Sequence, residues 1–532
     1  MTEIVAHALV AAAEEMKLTL MRSAYNPIIY EVLDFSCGVF DRQGRLAAQA
    51  SGLAIFLGTL DWAVQSVIAR HGAHDMREGD VFLTNDPYGG GGTHLNDVCC
   101  VTPVFAASEL IGFTASRAHW TDVGGAVAMS VQPDAPNLHA EGLVLPGVRL
   151  YRAGDPVVEV FDLLRANIRD AERGLGDLRA QLAAGGIGAR RLVELAVRHG
   201  TDRLAAIIER VQEQAEARVR ARLAVFPEGE ASAVDQLDDD GHGGPPVYVR
   251  ARLELRRSEV RFDFTGTDPA TVTGYNASLC SLVSAARVVF KSLTDPLAPA
   301  NDGSFRPLAI HAPEGTVVSA TYPTGVSLYG EPSRRAIDAV WRAFAQLVPD
   351  MLPAGHYGTI AGVAMAGWDD RFDPPLWTTF QGPNPGGWGA GPGHDGESAL
   401  FCVTNGDTRN TPAEIIENTA PLRVHGLRLR DGSGGAGRWR GGLGIEYDYE
   451  VLTGGPFALT CALGRTRFGG FGLDGGADGA VNKLEIRRNG NIEAELERVT
   501  AFPLQRGDHV VLRTGGGGGY GDPNAAGARE GA

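Results

Sequence analysis

The chain has 532 residues, 44% of them hydrophobic and 21% charged, a composition that supports a folded core and two or three domains. Its 64 acidic residues against 48 basic ones give a net charge of −16, which argues against nucleic acid or an anionic membrane as partner. No apolar run is long enough to span a bilayer, and the opening MTEIVAHALVAAAEEMKLTL lacks the basic start of a secretory signal, so a cytoplasmic protein is expected.

The first 25 residues read as an amphipathic helix. YEVLDFSCGVFDRQGRLAAQASG alternates around a turn at Asp41 to Gly44 and predicts a hairpin with Asp34 on its first strand. Leu57 to His71 reads as a helix. Val98 to Ala106 and Leu110 to Ala118, rich in β-branched and aromatic residues, predict a second hairpin turning near Ala107 and Ser108. Gln132 to Leu150 is Pro-rich and irregular, whereas Val160 to Phe226 has apolar residues at helical spacings of three and four. The acidic, Gly/Pro-rich PEGEASAVDQLDDDGHGGPP that follows reads as a linker or a surface loop. Beyond it come a hairpin in VYVRARLELRRSEVRFDFTG and helices at Leu279 to Leu293 and Arg334 to Leu347. The last third is glycine-dominated, with short strands such as IEYDYEVL and PFALTCAL between tight turns, and its GGGGG run reads as a turn. The fold class expected is α+β and multi-domain. Residues 1–228 would form an N-terminal metal-binding α+β domain, 229–345 a middle α+β domain and 346–532 a β-dominated C-terminal domain.

The chemistry concentrates in GDVFLTNDPYGGGGTHLNDVCC and the hairpin it enters. Facing residues of that hairpin have numbers summing to about 215 or 216, which sets Asp97 opposite His119, with His94 three residues earlier. Imidazole and carboxylate are ligands common to zinc, manganese and iron, and a catalytic site needs three or four of them with one position open. His94, Asp97 and His119 therefore predict a divalent-metal site, with Asp34 or Asp122 as a fourth ligand. The plainer reading makes these ordinary loop histidines, with Asp97 capping the turn. A nucleophile, Cys99 or Ser116 beside His119, is disfavoured, because a thiol in an apolar strand is inert and Ser116 points to the opposite face. The six cysteines contain no CxxC and read as reduced core residues. His394, in a loop beside Asp395, is a further candidate for ligand contact. No GxxxxGK[ST] string occurs, so any nucleotide must be bound by other means or by another chain.

With NDPYGGGGTHLNDVCCVTPVF and SRAHWTDVGG, followed in order by GDLRAQLAA, DFTGTDPATVTGYNAS, PANDGSFRPLAIHAPEGT, ENTAPLRV, SGGAGRWRGGLGIEY and GGGGGYGDP, the chain resembles the B subunits of hydantoinases and oxoprolinases, nearly end to end. Ketone carboxylase large subunits are related to that family. The resemblance implies metal ligation by His94, Asp97 and His119, with Asp34 of the DFS motif as a further ligand. It implies a hetero-oligomer in which an A-type subunit uses ATP to phosphorylate the amide oxygen of a hydantoin, 5-oxoproline or other lactam. Water activated by the metal on this chain would then open the ring. Asp122 or Glu141 would accept the proton, a role read from position alone. Trp120 and His394 depart from residues common among relatives and are expected near the substrate. The leading expectation is thus a hydrolase of cyclic-amide C–N bonds; the alternatives are a ketone-carboxylase subunit and a non-catalytic structural subunit.

Overall fold

The computed structural model describes residues 1–524; the end of the expected third domain, 525–532, lies outside the described residues. The fold is α+β, with several sheets and helical layers.

The N-terminal sheet comprises β1 (Phe35–Asp41), β2 (Leu46–Gln49), β3 (Val81–Thr84), β4 (Asp97–Ala106), β5 (Glu109–His119), β6 (Pro146–Arg152) and β7 (Asp155–Pro156), in the order β2-β1-β5-β4-β3-β6-β7. Both faces are covered. Val98 and Cys100 of β4 join an apolar cluster with the helices Thr2–Ser23 and Ala171–His199, while Cys99 and Val101 join one with the helix Leu60–His71. That explains why VCCV is a continuous apolar run instead of an alternating one. The expected helical stretch resolves into Val158–Asn167, Ala171–His199 and Thr201–Leu223. Asp34 sits one residue before β1 and not within a strand.

The expected linker is where the structure departs most from the sequence reading. β8 (Gly229–Leu237) runs through it and pairs along its whole length with β9 (Val247–Leu255). With β10 (Val260–Asp263) and β11 (Leu308–His311) they form a sheet in the order β11-β10-β9-β8, packed with the helices Leu279–Thr294 and Gly330–Leu347. Three of the aspartates that suggested a solvated segment, Asp235, Asp238 and Asp239, are buried and bonded to the C-terminal part, whereas Glu228 and Glu230 are exposed. Asp235 takes Nη1 of Arg465 at 3.1 Å, Asp238 caps the backbone amides of Thr466 and Arg467, and Asp239 meets Arg467 and Arg498. Composition alone cannot tell a solvated acidic run from one that receives arginines distant in sequence.

The C-terminal part has two sheets. One orders β12 (Gly362–Asp369), β13 (Leu376–Gly382), β16 (Phe457–Ala462) and β19 (Arg498–Leu504) as β13-β12-β16-β19. The other orders β14 (Leu422–Leu429), β15 (Ile445–Val451), β17 (Lys483–Arg488), β18 (Asn491–Leu496) and β20 (His509–Arg513) as β14-β15-β20-β17-β18. The GGGGG run is not a turn. Gly515 to Gly519 are buried, and their amides donate in succession to the Asn482 side chain, Ala480, Gly442, Gly355 and Ala477. With every amide used, none remains for an anion. A Cβ on Gly517 would lie 1.8 Å from the Trp388 carbonyl oxygen, so backbone packs on backbone here.

Among the described residues no helix is long and apolar enough to cross a membrane.

Candidate metal centre

The β4–β5 hairpin supplies two of the three donors. Ala107 (φ 49°) and Ser108 (φ 67°) occupy the left-handed region, as a two-residue turn between twisted strands requires. The register pairs Asp97 with His119 and holds to Val104, beyond which an irregularity shifts the pairing by one, so Phe105 faces Leu110. Both sums expected from the sequence, 216 and 215, therefore occur. His94 comes from the loop before β4, where the Asp97 amide donates to the His94 carbonyl at 3.1 Å and folds the loop over the strand end.

One ligand atom from each of His94, Asp97 and His119 lies within 4.8 Å of the other two, and all three residues are buried. The imidazole centroids of His94 and His119 are 5.1 Å apart. Each side chain is held from behind. His94 Nδ1 lies 3.1 Å from the Ser327 carbonyl oxygen, which fixes the ring with Nε2 toward Asp97. The hydroxyls of Thr93 and Tyr329 both donate to Asp97 Oδ2, the latter over 3.3 Å. The other carboxylate oxygen, Oδ1, is 3.3 Å from His94 Nε2 yet receives no hydrogen bond of good geometry, and His119 Nδ1 is likewise buried without a partner.

The electrostatics suit a cation. Burial opposes the charge on Asp97, but His94, His119 and the Thr93 hydroxyl outweigh it and hold this carboxyl well below the usual range. Burial and then the neighbouring His94 push His119 down to about 4, against the pull of Asp97. At neutral pH His119 is a neutral imidazole with a lone pair to give. Leaving buried polar atoms such as Asp97 Oδ1 and His119 Nδ1 unpaired costs about 1–3 kcal/mol each. The donor set fits a transition-metal ion of the zinc, manganese or iron kind.

These residues open on a cavity of about 110 Å³. Ile28, Leu53, Ile55 and Val363 give it an apolar wall, while Glu331 and Arg334 supply buried charges paired at 3.2 Å. Asp34 lines the same space without joining the tight set of three, and its backbone carbonyl accepts from the His119 amide at 3.0 Å. Burial and then the charge of Asp97 raise the Asp34 carboxyl well above its ordinary value.

Other expected site residues lie elsewhere. Asp122 does not line the cavity; Arg169 Nη1 holds its carboxylate at 2.6 Å, and the amides of Gly124, Met129 and Arg169 donate to it as well. Glu141 also stands outside, accepting from the amides of Val326 and Ser327 at 2.7 Å, and so supports the loop whose carbonyl holds His94. Burial pushes its carboxyl up to about 8, against those two hydrogen bonds. Spacing along the chain put both acids near the hairpin, but their own donors turn them away from the opening.

Trp120 is buried and donates to Gln181 at 2.8 Å; His394 is exposed in its loop. Neither lines the cavity. Cys99 and Ser116 are also absent from the lining, and burial raises the Cys99 thiol to about 11. All six cysteines are free and buried. Sequence reasoning missed Tyr329, Ser327, Glu331 and Arg334, which reach the cavity from more than 200 residues away and carry no local signal. Thr93, adjacent to the histidine, was within reach of it.

The sequence matches the hydantoinase B/oxoprolinase family over residues 1–523. The chain belongs to that family. It is 32% identical over 536 residues to the beta subunit of caprolactamase from Pseudomonas jessenii, covering 98% of this chain and 90% of that protein. It is 31% identical over 539 residues to the B subunit of a putative D-/L-hydantoinase from a Pseudomonas species, covering 98% and 89%. In three dimensions it is similar to the crystal structure of the ATP-dependent caprolactamase from Pseudomonas jessenii, with a TM-score of 0.91, 29% identity and coverage of 98% of this chain and 91% of that one.

Proposed function

We propose that this chain is the metal-dependent subunit of an ATP-dependent hydrolase of cyclic amides and acts with a separate A-type subunit that carries the nucleotide site. The observation that carries this reading is the convergence of His94, Asp97 and His119, in which Asp97 Oδ1 and His119 Nδ1 are buried without a hydrogen-bond partner, on a cavity with a largely apolar wall. Kinship with caprolactamase and hydantoinase subunits supports the substrate class and the two-subunit arrangement.

In this proposal the three residues hold one divalent ion and Asp34 adds a carboxylate from the same cavity. When bound, such an ion lowers the pKa of water enough for attack near neutral pH. It would also reverse the rise in the Asp34 pKa, because a nearby dication outweighs both burial and Asp97. The protein's own contributions are positional. Thr93 and Tyr329 keep Asp97 Oδ2 occupied, which leaves Oδ1 toward His94 Nε2, 3.3 Å away. Ser327 fixes His94. Ile28, Leu53, Ile55 and Val363 exclude bulk water and accept the hydrocarbon edge of a ring. Amide resonance makes lactams poor electrophiles, which is the chemical need for phosphorylation of the amide oxygen by the partner before the ring opens.

The test pairs the purified chain with its A-type partner and ATP, offering caprolactam, a hydantoin, 5-oxoproline, or a ketone with bicarbonate. ATP consumption dependent on a cyclic amide, with ring opening, is expected; consumption dependent only on the ketone would make it a carboxylase subunit. Elemental analysis of a folded His119→Ala variant should show loss of metal together with turnover. Undiminished metal would place the ligands elsewhere, and undiminished turnover would leave a structural role for the site.

A further inference from the structure

A second donor cluster lies on the sheet formed by β14, β15 and β20, and none of its residues lines the cavity. β14 and β15 pair with a register shift between Val424 and Gly426, so His425 is the extra residue of a β-bulge. A bulge bends its strand and re-aims a side chain. His425 Nε2 lies 2.7 Å from Glu450 Oε2 on β15. Glu450 in turn pairs in register with His509 of β20. The two imidazole centroids are 5.0 Å apart, and the ligand atoms of His425, Glu450 and His509 all lie within 4.8 Å of one another.

Asp448, two residues from Glu450 on the same face, lies 2.8 Å from His509 Nδ1. A carboxylate on one imidazole nitrogen fixes the tautomer and leaves the other nitrogen as a basic donor, the arrangement found behind metal-bound histidines. Arg423 is the competing cation, with Nη1 3.6 Å from Glu450 Oε2, but its side chain is 56% exposed and free to swing aside. Two imidazoles and a carboxylate select zinc, nickel or copper over magnesium or calcium.

We propose that His425, Glu450 and His509 form a second transition-metal site, independent of the cavity, whose ion exchanges with solvent and ties β14, β15 and β20 together. It draws on nothing in the cyclic-amide reading and would stand if that reading failed.

The full-length protein, stripped of metal with a chelator, is titrated with Zn²⁺ alone, and the bound zinc is counted by elemental analysis after gel filtration. Wild type should retain two equivalents. Folded His425→Ala or His509→Ala should retain one and should show a smaller Zn²⁺-induced rise in Tm. His119→Ala should also retain one, and His119→Ala combined with His509→Ala should retain none. The proposal is overturned if the β-sheet variants bind as much zinc as wild type, or if wild type binds a single equivalent that His119→Ala removes. Equal stabilisation by Mg²⁺ would also overturn it, since that would mark a general acidic surface. Should His509→Ala fail to fold, His425→Gln at the bulge answers the same question.

Discussion

The N-terminal sheet and the glycine-rich C-terminal part achieve burial in opposite ways. In the first, side chains do the work: Phe40, Phe82 and Phe113 fill the space between the strands and the helix Leu60–His71. In the second, around Gly515 to Gly519, the chain buries itself by having no side chains, and carbonyls of Ser433, Trp388 and Phe471 occupy the places of methyl groups. A side-chain core tolerates some repacking, whereas a backbone core has no rotamers with which to adjust. Where the middle sheet and its helix Gly330–Leu347 meet the C-terminal part runs a seam of buried charge, in which Asp235 and Asp338 bind Arg465.

The largest effect on stability should come from the seam. Asp235→Ala leaves the buried Arg465 and Arg335 to share the single carboxylate of Asp338 and is expected to cost about 3–5 kcal/mol, measured by denaturant unfolding. A loss below about 1 kcal/mol, the range of an exposed pair, would mean that the seam is solvated.

Next comes a test of the backbone core. Gly517→Ala should destabilise by about 1–3 kcal/mol or more, because carbonyl oxygen and not a pliable side chain meets the new methyl group. A neutral result would show that this layer yields like an ordinary core.

The third prediction concerns the support behind His94. Burial raises the Glu141 carboxyl from its ordinary 4.5 to about 8, so the folded state binds the proton more tightly than the unfolded chain. Stability from the neutral form is therefore complete below about pH 4.5 and is lost as pH rises toward 8. Glu141→Gln, which keeps an acceptor for the amides of Val326 and Ser327, should remove that loss and gain on wild type in Tm between pH 5 and pH 8. Parallel pH curves for the two proteins would refute the assignment.

The smallest effect sharpens the contrast. Gly186 lies inside the helix Ala171–His199 with open space where a Cβ would go. Gly186→Ala should stabilise by about 0.5–1 kcal/mol, since only helix propensity changes. The same substitution thus has opposite signs in the two regions, and thermal unfolding of both variants side by side measures the difference.

Much of the candidate site could be read locally because a hairpin is a local object. Two β-rich runs and a two-residue turn fix the register, and the register places Asp97 opposite His119. What lay beyond reach was every group arriving from far along the chain. Tyr329 and Ser327 approach through the loop before the helix Gly330–Leu347, and nothing in their neighbours' periodicity points at residue 97 or 94. Asp122 and Glu141 show the converse: they are near the hairpin in sequence yet do not line the cavity, and Arg169 and the amides of Val326 and Ser327 bind them. The expected linker went astray because charge was read without its partners; β8 keeps an alternating burial pattern, with Ala231, Asp235 and Leu237 inside.

By itself the sequence determined the α+β character, the hairpin register and the three convergent donors, since each follows from periodicity or from pairing over a few residues. Only the tertiary structure decided which polar groups are buried together, how Asp97 is oriented, where the acidic run finds its arginines and how the glycines pack. Those outcomes depend on contacts between distant segments, and the free energy of such contacts is set by partners that local sequence does not contain.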